Sequence, residues 1–454
     1  MRVIPFALSL AALMSGDQAS SATFNDLPGA PQLIYQNGVP QTDRNGRIQF
    51  GLTSSSFFPR CAYETLPGML ASLQHAGFNC FKPWNGLSLA SVLAEAHGTG
   101  MQLIKEIFVA ACNFSANPGC DPNSNASAQI VSLTSQIATA ENDPNLLAWY
   151  IEDEPTACIL PPSNCPERIA NFENFKAAIK AVDSTHPVVD QDIGLPRASA
   201  LPQWSRLNSA GDVAANDNYP FHTGNERTLE ASVTEFSRLV ALNHQQKPVW
   251  LTLQAFGLPA QNGLAWKLPT PGQLRAEVFA ALVHGATGIV YFALDNWASR
   301  NAQVIGITAT PLASYPNQHP GDAVATASDI ASSETLWNAT VSLNAELQRL
   351  QSVILSPTAT LPYRVAIQGR AISATPIRTL LKMGNEGVYT LLVSNIDDMP
   401  LNVHFTLPVP PLDLHSIDAG GARNRIGSNS NSFADSIEGY GVRIFEFSIG
   451  SPRR

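Results

Sequence analysis

The chain has 454 residues, is 44% hydrophobic and carries a formal charge of −9, with only 27 Lys and Arg. That length and apolar content supply a large core, and α/β barrels use about 250 or more residues as one domain. The cations form no long basic run, which excludes the clustered positive surface that nucleic acid or an anionic membrane requires.

Residues 1–22 read as a signal peptide, with Arg2 at the start, an apolar run from Val3 to Met14, and Ser20-Ser21-Ala22 as small residues for cleavage. About 12 apolar residues fall short of the roughly 20 that cross a bilayer. Residues 23–46 read as an extended lead-in. Three N-x-S/T sequons, at Asn113, Asn125 and Asn338, fit the same expectation of a secreted protein.

From residue 47 onward, short apolar runs alternate with amphipathic segments. The runs are Ile48–Leu52, Phe78–Lys82, Leu103–Val109, Leu147–Ile151, Val188–Asp192, Val213–Asn216, Val249–Leu253 and Gly288–Leu294. Continuous apolar runs suit parallel strands buried on both faces. Helical spacing follows in Ile169, Phe172, Phe175, Ile179 and Val182, then in Leu229, Val233, Phe236 and Val240, and later in Leu336, Leu343, Leu347 and Leu350. Strand and helix repeated in this way predict a (β/α)8 TIM barrel over 47–352. A doubly wound open sheet is the alternative, but the turn Thr53-Ser54-Ser55-Ser56-Phe57-Phe58 lacks the glycines it needs. Asp295–Ser333 reads as a long loop after the last strand. Over 353–454, short β-prone runs at Tyr363–Ile367, Val388–Ser394, Leu401–Thr406 and Val442–Phe447 predict a small C-terminal antiparallel β-sandwich.

All six cysteines lie between Cys61 and Cys165. Cys112 with Cys120 and Cys158 with Cys165 are close pairs, which leaves Cys61 with Cys80, although spacing alone does not decide the pairing. Without CxxC or clustered histidines, disulfides are favoured over a zinc site.

A barrel's working residues project from the C-terminal ends of its strands. Those ends offer Lys82 and Trp84, Glu106, Asp153 and Glu154, Asp190 and Asp192, Asp217, Asn218 and Tyr219, Gln254, and Asp295 with Trp297. Carboxylates, amides and aromatics are what cleavage of a sugar bond uses: two carboxyls manage the proton and charge, amides hold hydroxyls, and ring faces stack on sugars. Asp153, Glu154, Asp217 and Glu106 are the catalytic candidates. Lys82, Trp84, Asn218, Tyr219, Gln254, Asp295 and Trp297 are the substrate-binding candidates, with Trp266 a further stacking platform. No metal or other cofactor is expected. The expected partner is a polysaccharide or oligosaccharide, and the expected state a monomer.

The segment Ala148-Trp149-Tyr150-Ile151-Glu152-Asp153-Glu154-Pro155 resembles the clan A glycoside hydrolases, which carry an acid/base glutamate in an Asn-Glu-Pro tripeptide ending the fourth strand. The resemblance implies that Glu154 is the acid/base residue, with Asp153 in place of asparagine. Asp217-Asn218-Tyr219-Pro220 is similar to an aromatic subsite of such barrels, and Gly285–Phe292 to their eighth strand. The clan's nucleophile is a glutamate ending strand seven, where this chain has Gln254. An amide cannot form the glycosyl ester. Three outcomes stay open: an inverting enzyme with a second carboxylate (Asp217, Glu106 or Asp295), a substrate that supplies its own nucleophile, or a non-catalytic sugar-binding barrel.

Overall fold

In the computed structural model of the chain, the described residues are 35–36, 39–40, 57–65, 68–83, 87–107, 134–153, 165–192, 201–221, 229–242, 248–261, 264–293, 298–299, 302–303, 305–307, 326–356, 358–359, 361–367, 376–384, 387–427 and 430–449. Eight parallel strands close into a barrel: β1 (Arg60–Thr65), β2 (Cys80–Pro83), β3 (Gln102–Glu106), β4 (Leu146–Asp153), β5 (Val188–Asp192), β6 (Val213–Asn218), β7 (Val249–Gln254) and β8 (Gly288–Phe292). The closure pairs β8 with β1, Val290 opposite Cys61. Every residue of β5 and of β7 is buried, as expected for strands covered on both faces.

The first strand corrects the sequence reading. Ile48–Leu52 lies outside the described residues, and the barrel closes without it through Arg60–Thr65. This strand escapes an apolar scan because it opens on a buried cation. Arg60 is 4% exposed, and its guanidinium donates to the carbonyl of Gly77 at 2.9 Å and to Gln351 Oε1 at 3.3 Å. Burying a charge is tolerable when such acceptors surround it.

Helices surround the strands, among them α1 (Leu70–His75), α2 (Leu89–Thr99), α3 (Cys165–Val182), α4 (Leu201–Ala210), α5 (Leu229–Leu242), α6 (Pro271–Val283) and α7 (Ala327–Ile354). Their ends follow local chemistry. Ser88 accepts from the Ser91 amide to start α2, and Gly100, at φ 73°, ends it. A capping box, Thr326 with Asp329, starts α7 inside the stretch read as loop, so the last residues of Asp295–Ser333 are helical.

The C-terminal region forms two antiparallel sheets. One has the order β9 (Arg364–Ile367), β12 (Leu401–Thr406), β15 (Ser432–Ile437). The other has the order β10 (Ile377–Met383), β11 (Val388–Asn395), β16 (Val442–Ile449), β13 (Pro411–Ile417), β14 (Arg423–Arg425). Between them lie Leu381, Leu391, Val393, Val403, Phe405, Phe433, Phe445 and Phe447. Phe405 stacks on Phe433 with centroids 5.0 Å apart. These aromatics fill a core, which is how strand positions usually spend them. The opposite face of the larger sheet joins Leu392, Val442 and Ile444 to the barrel's outer core, against α6 and α7.

Candidate functional site

Strand alternation decides which side chains enter the barrel. Its interior is packed by Cys61, Tyr63, Cys80, Ile104, Ala148, Tyr150, Val189, Val213, Ala215, Trp250 and Val290. Counting on by two along each strand puts Lys82, Glu106, Gln191, Asp217, Thr252, Gln254 and Phe292 on the same inner face, toward the C-terminal mouth. In β4 a bulge between Tyr150 and Asp153 resets the count. Tyr150 pairs with Val189, but Asp153 pairs with Gln191, so the backbone of Asp153 stands level with an inward residue.

At the narrow end, Cys61 and Cys80 face each other across β1 and β2 and form a disulfide with a Cα–Cα distance of 4.4 Å. Above it, Lys82 Nζ lies 2.6 Å from Glu106 Oε2, with both side chains 5% exposed. The same ammonium stands 5.0 Å from the ring centroids of both Tyr63 and Tyr150. Glu106, expected as a catalytic carboxylate, and Lys82, expected to bind substrate, are therefore bound to each other. Across the barrel, Thr252 donates to Gln191 Oε1 at 2.8 Å. Asp217 is 7% exposed and pairs in register with Thr252.

Gln254, expected to bind substrate, is bonded to backbone instead. Its side chain is fully buried. Oε1 accepts from the Phe221 amide at 2.8 Å. Nε2 donates toward the carbonyls of Phe221 (3.1 Å), Phe256 (3.2 Å) and Lys267 (2.9 Å). Its backbone amide donates to Glu277 Oε1 on α6 at 3.2 Å. An amide is the side chain that supplies one acceptor and several donors at this spot, and backbone groups take them all.

Around this clamp stands an aromatic wall. Tyr219 stacks on Phe292 at 5.6 Å and meets Phe256 edge-on at 5.0 Å, and Phe256 lies 6.1 Å from Trp266. Trp266 sits in a hairpin, Leu258–Gln261 with Leu264–Trp266, that follows β7. Tyr219, Trp266 and Phe292 are partly buried, the condition of rings that back onto protein and present a face or an edge.

Two expected mouth residues turn the other way. Asp192 Oδ2 accepts from Asn208 Nδ2 on α4 at 3.4 Å, and Asp190 lies behind Gly211, whose added Cβ would come within 2.7 Å of the Asp190 Cβ. Alternation from Val189 and Gln191 sends both aspartates into the helix layer. Glu154, Trp84, Asp295, Trp297, Cys112, Cys120 and Cys158 lie outside the described residues, as do the side chains of Asp153, Asn218 and Cys165.

Sequence reasoning missed Glu277, Phe256 and Phe292. Glu277 had a signal: it is the one acid in the apolar run Leu274–Val283. It is 4% exposed, and burial raises its pKa well above the ordinary glutamate value, opposed only in part by the Gln254 amide.

A sequence model of glycoside hydrolase family 42, described as β-galactosidase, matches residues 166–310, about a third of the chain. Among solved structures, the β-galactosidase of Bacillus circulans sp. alkalophilus superposes with a TM-score of 0.57 at 9% identity, covering 86% of this chain and 99% of that one. A catalytic mutant of a β-galactosidase from G. stearothermophilus gives 0.53 at 9% identity, covering 87% and 99%. The chain is thus similar to this glycoside hydrolase family over residues 166–310 and shares the barrel fold of these β-galactosidases. At such low identity the structural likeness carries the fold and not the site. No curated protein sequence matches the chain.

Proposed function

We propose that this protein is a glycoside hydrolase that cleaves a β-linked galactoside or related β-glycoside with inversion at the anomeric carbon, with Glu154 as general acid and Asp217 as the base that activates water. The observation that carries this reading is the sealed Gln254. The strand-seven position offers no carboxylate, and its amide is consumed by the backbone of Phe221, Phe256 and Lys267. Glu106 is occupied by Lys82. Asp217 lies on the inner face of β6, beside the aromatic wall begun by Tyr219. In an inverting enzyme the acid protonates the leaving oxygen while the base takes a proton from water on the opposite face of the ring, and no glycosyl ester forms. The wall gives the apolar face of a sugar a stacking surface.

The family description motivates the galactoside. The reading also includes export, supported by the apolar N-terminal run and by the Cys61–Cys80 disulfide, a bond that persists in oxidising compartments. The test is product release from a panel of aryl β-glycosides and β-linked oligosaccharides, with proton NMR of the first-formed anomer. The expected result is an α-anomer from wild type, with loss of about 10²–10⁴-fold in kcat for Glu154→Gln and for Asp217→Asn. A β-anomer, or an Asp217→Asn variant with undiminished turnover, refutes the inverting mechanism.

A further inference from the structure

The barrel holds a carboxyl–amide unit, Glu277 with Gln254, that the reaction itself does not use. Gln254 gathers three separate stretches of backbone: Phe221, two residues after Tyr219; Phe256, at the start of the loop after β7; and Lys267, directly after Trp266. Each stretch carries a ring of the aromatic wall. From behind, Glu277 Oε1 accepts the backbone amide of Gln254, which holds the strand end against α6. The second oxygen of Glu277 is buried and has no hydrogen-bond partner. The carboxyl thus spends one oxygen on this strand and nothing else.

We propose that Gln254 and Glu277 are positioning residues that set the aromatic wall for sugar binding, Gln254 by tying its three backbone segments together and Glu277 by holding Gln254 in place. This rests on the glycosidase reading above for its ligand, but not for its geometry. Position 254 is then an amide by requirement. A glutamate there would meet one N–H and three carbonyl oxygens, so its charge would be repelled where the amide donates.

The experiment compares Gln254→Leu, Gln254→Glu and Glu277→Leu with wild type in two readouts. The first is steady-state kinetics on the best aryl β-glycoside. The second is hydrogen–deuterium exchange of peptides spanning 219–221 and 255–268, which needs no turnover. Gln254→Leu and Gln254→Glu are expected to raise KM by about tenfold or more while kcat falls less than about threefold, because uniform binding is lost and the chemistry is not. Glu277→Leu removes the acceptor of the Gln254 amide and is expected to raise KM by about threefold or more and to speed exchange across 255–268, and unchanged KM with unchanged exchange would remove Glu277 from this role. Exchange at the Phe221 amide and across 255–268 should accelerate in both Gln254 variants, with β10–β16 unchanged. A Gln254→Glu variant that gains turnover makes the position a catalytic one and overturns the proposal. So does Gln254→Leu with unchanged KM and reduced kcat. If no glycoside is turned over by any form, the exchange readout decides: unchanged protection in Gln254→Leu removes the positioning role, whatever becomes of the glycosidase reading.

Discussion

Lys82 on β2 and Glu106 on β3 form an ion pair of 2.6 Å inside the barrel, with the ammonium held against the rings of Tyr63 and Tyr150. Removing Glu106 strands a buried cation, so Glu106→Gln is expected to cost about 3–5 kcal/mol in stability. The double variant Lys82→Met/Glu106→Gln should cost less than the sum of its two single changes, because the second removes the charge left behind by the first. Denaturant titrations of the four proteins test this. Strict additivity would show that the pair has no coupling.

Lys382 on β10 is 8% exposed and donates to the carbonyl of Ser356 at 2.7 Å, at the junction between α7 and the C-terminal sheets. Burial lowers its pKa from 10.5 to about 8. Because the folded value is depressed, folding releases protons between these two pH values. Stability therefore rises as pH increases from about 8 toward 10.5, by up to about 3 kcal/mol. Below pH 8 the full cost of the buried charge is present. Lys382→Met is expected to be more stable than wild type at pH 7 by about 2 kcal/mol, the relief less one lost hydrogen bond. That advantage should vanish by pH 10. Urea titrations at both pH values decide it, and an advantage independent of pH would refute the linkage.

Gly288 opens β8 opposite Trp250, and a Cβ there would lie 2.4 Å from Trp250 Cδ1. Trp250 is fully buried in the barrel interior and cannot retreat without displacing its neighbours. Gly288→Ala is expected to destabilise by about 3 kcal/mol, read as a lower Tm and a changed near-ultraviolet circular dichroism signal. An unchanged Tm would mean that the interior accommodates the methyl group.

The Cys61–Cys80 disulfide closes a loop with a sequence separation of 19, and both cysteines are fully buried. A paired Cys61→Ala/Cys80→Ala variant is expected to lose about 3 kcal/mol. In the folded wild type the bond should resist mild reductant, which thiol titration before and after unfolding measures. Ready reduction in the native state would contradict its burial.

Much of the barrel is readable along the chain, because strands buried on both faces are largely apolar. Leu147–Ile151 and Gly288–Phe292 show that signal directly, and α3, α5 and α7 show their 3.6-residue spacing. The strand that fails the rule, Arg60–Thr65, fails it because hydrogen bonds to distant carbonyls neutralise the burial cost of a cation, and such partners are invisible in a local window. In the C-terminal sheets, Ser432–Ile437 is equally hidden, since its core residues Phe433 and Ile437 are separated by polar and small ones.

The candidate site divides along the same line. By itself the sequence determined the barrel class, the strand ends from which chemistry projects, and the absence of a strand-seven carboxylate. Residue identity and two-residue alternation are local properties. Only the tertiary structure decided what each strand end does. It turned Asp190 and Asp192 toward the helices, joined Lys82 to Glu106, and surrounded Gln254 with backbone from Phe221, Phe256 and Lys267. The physical reason is that the role of a polar side chain is set by the partners that replace its water, and those partners come from parts of the chain far away in sequence.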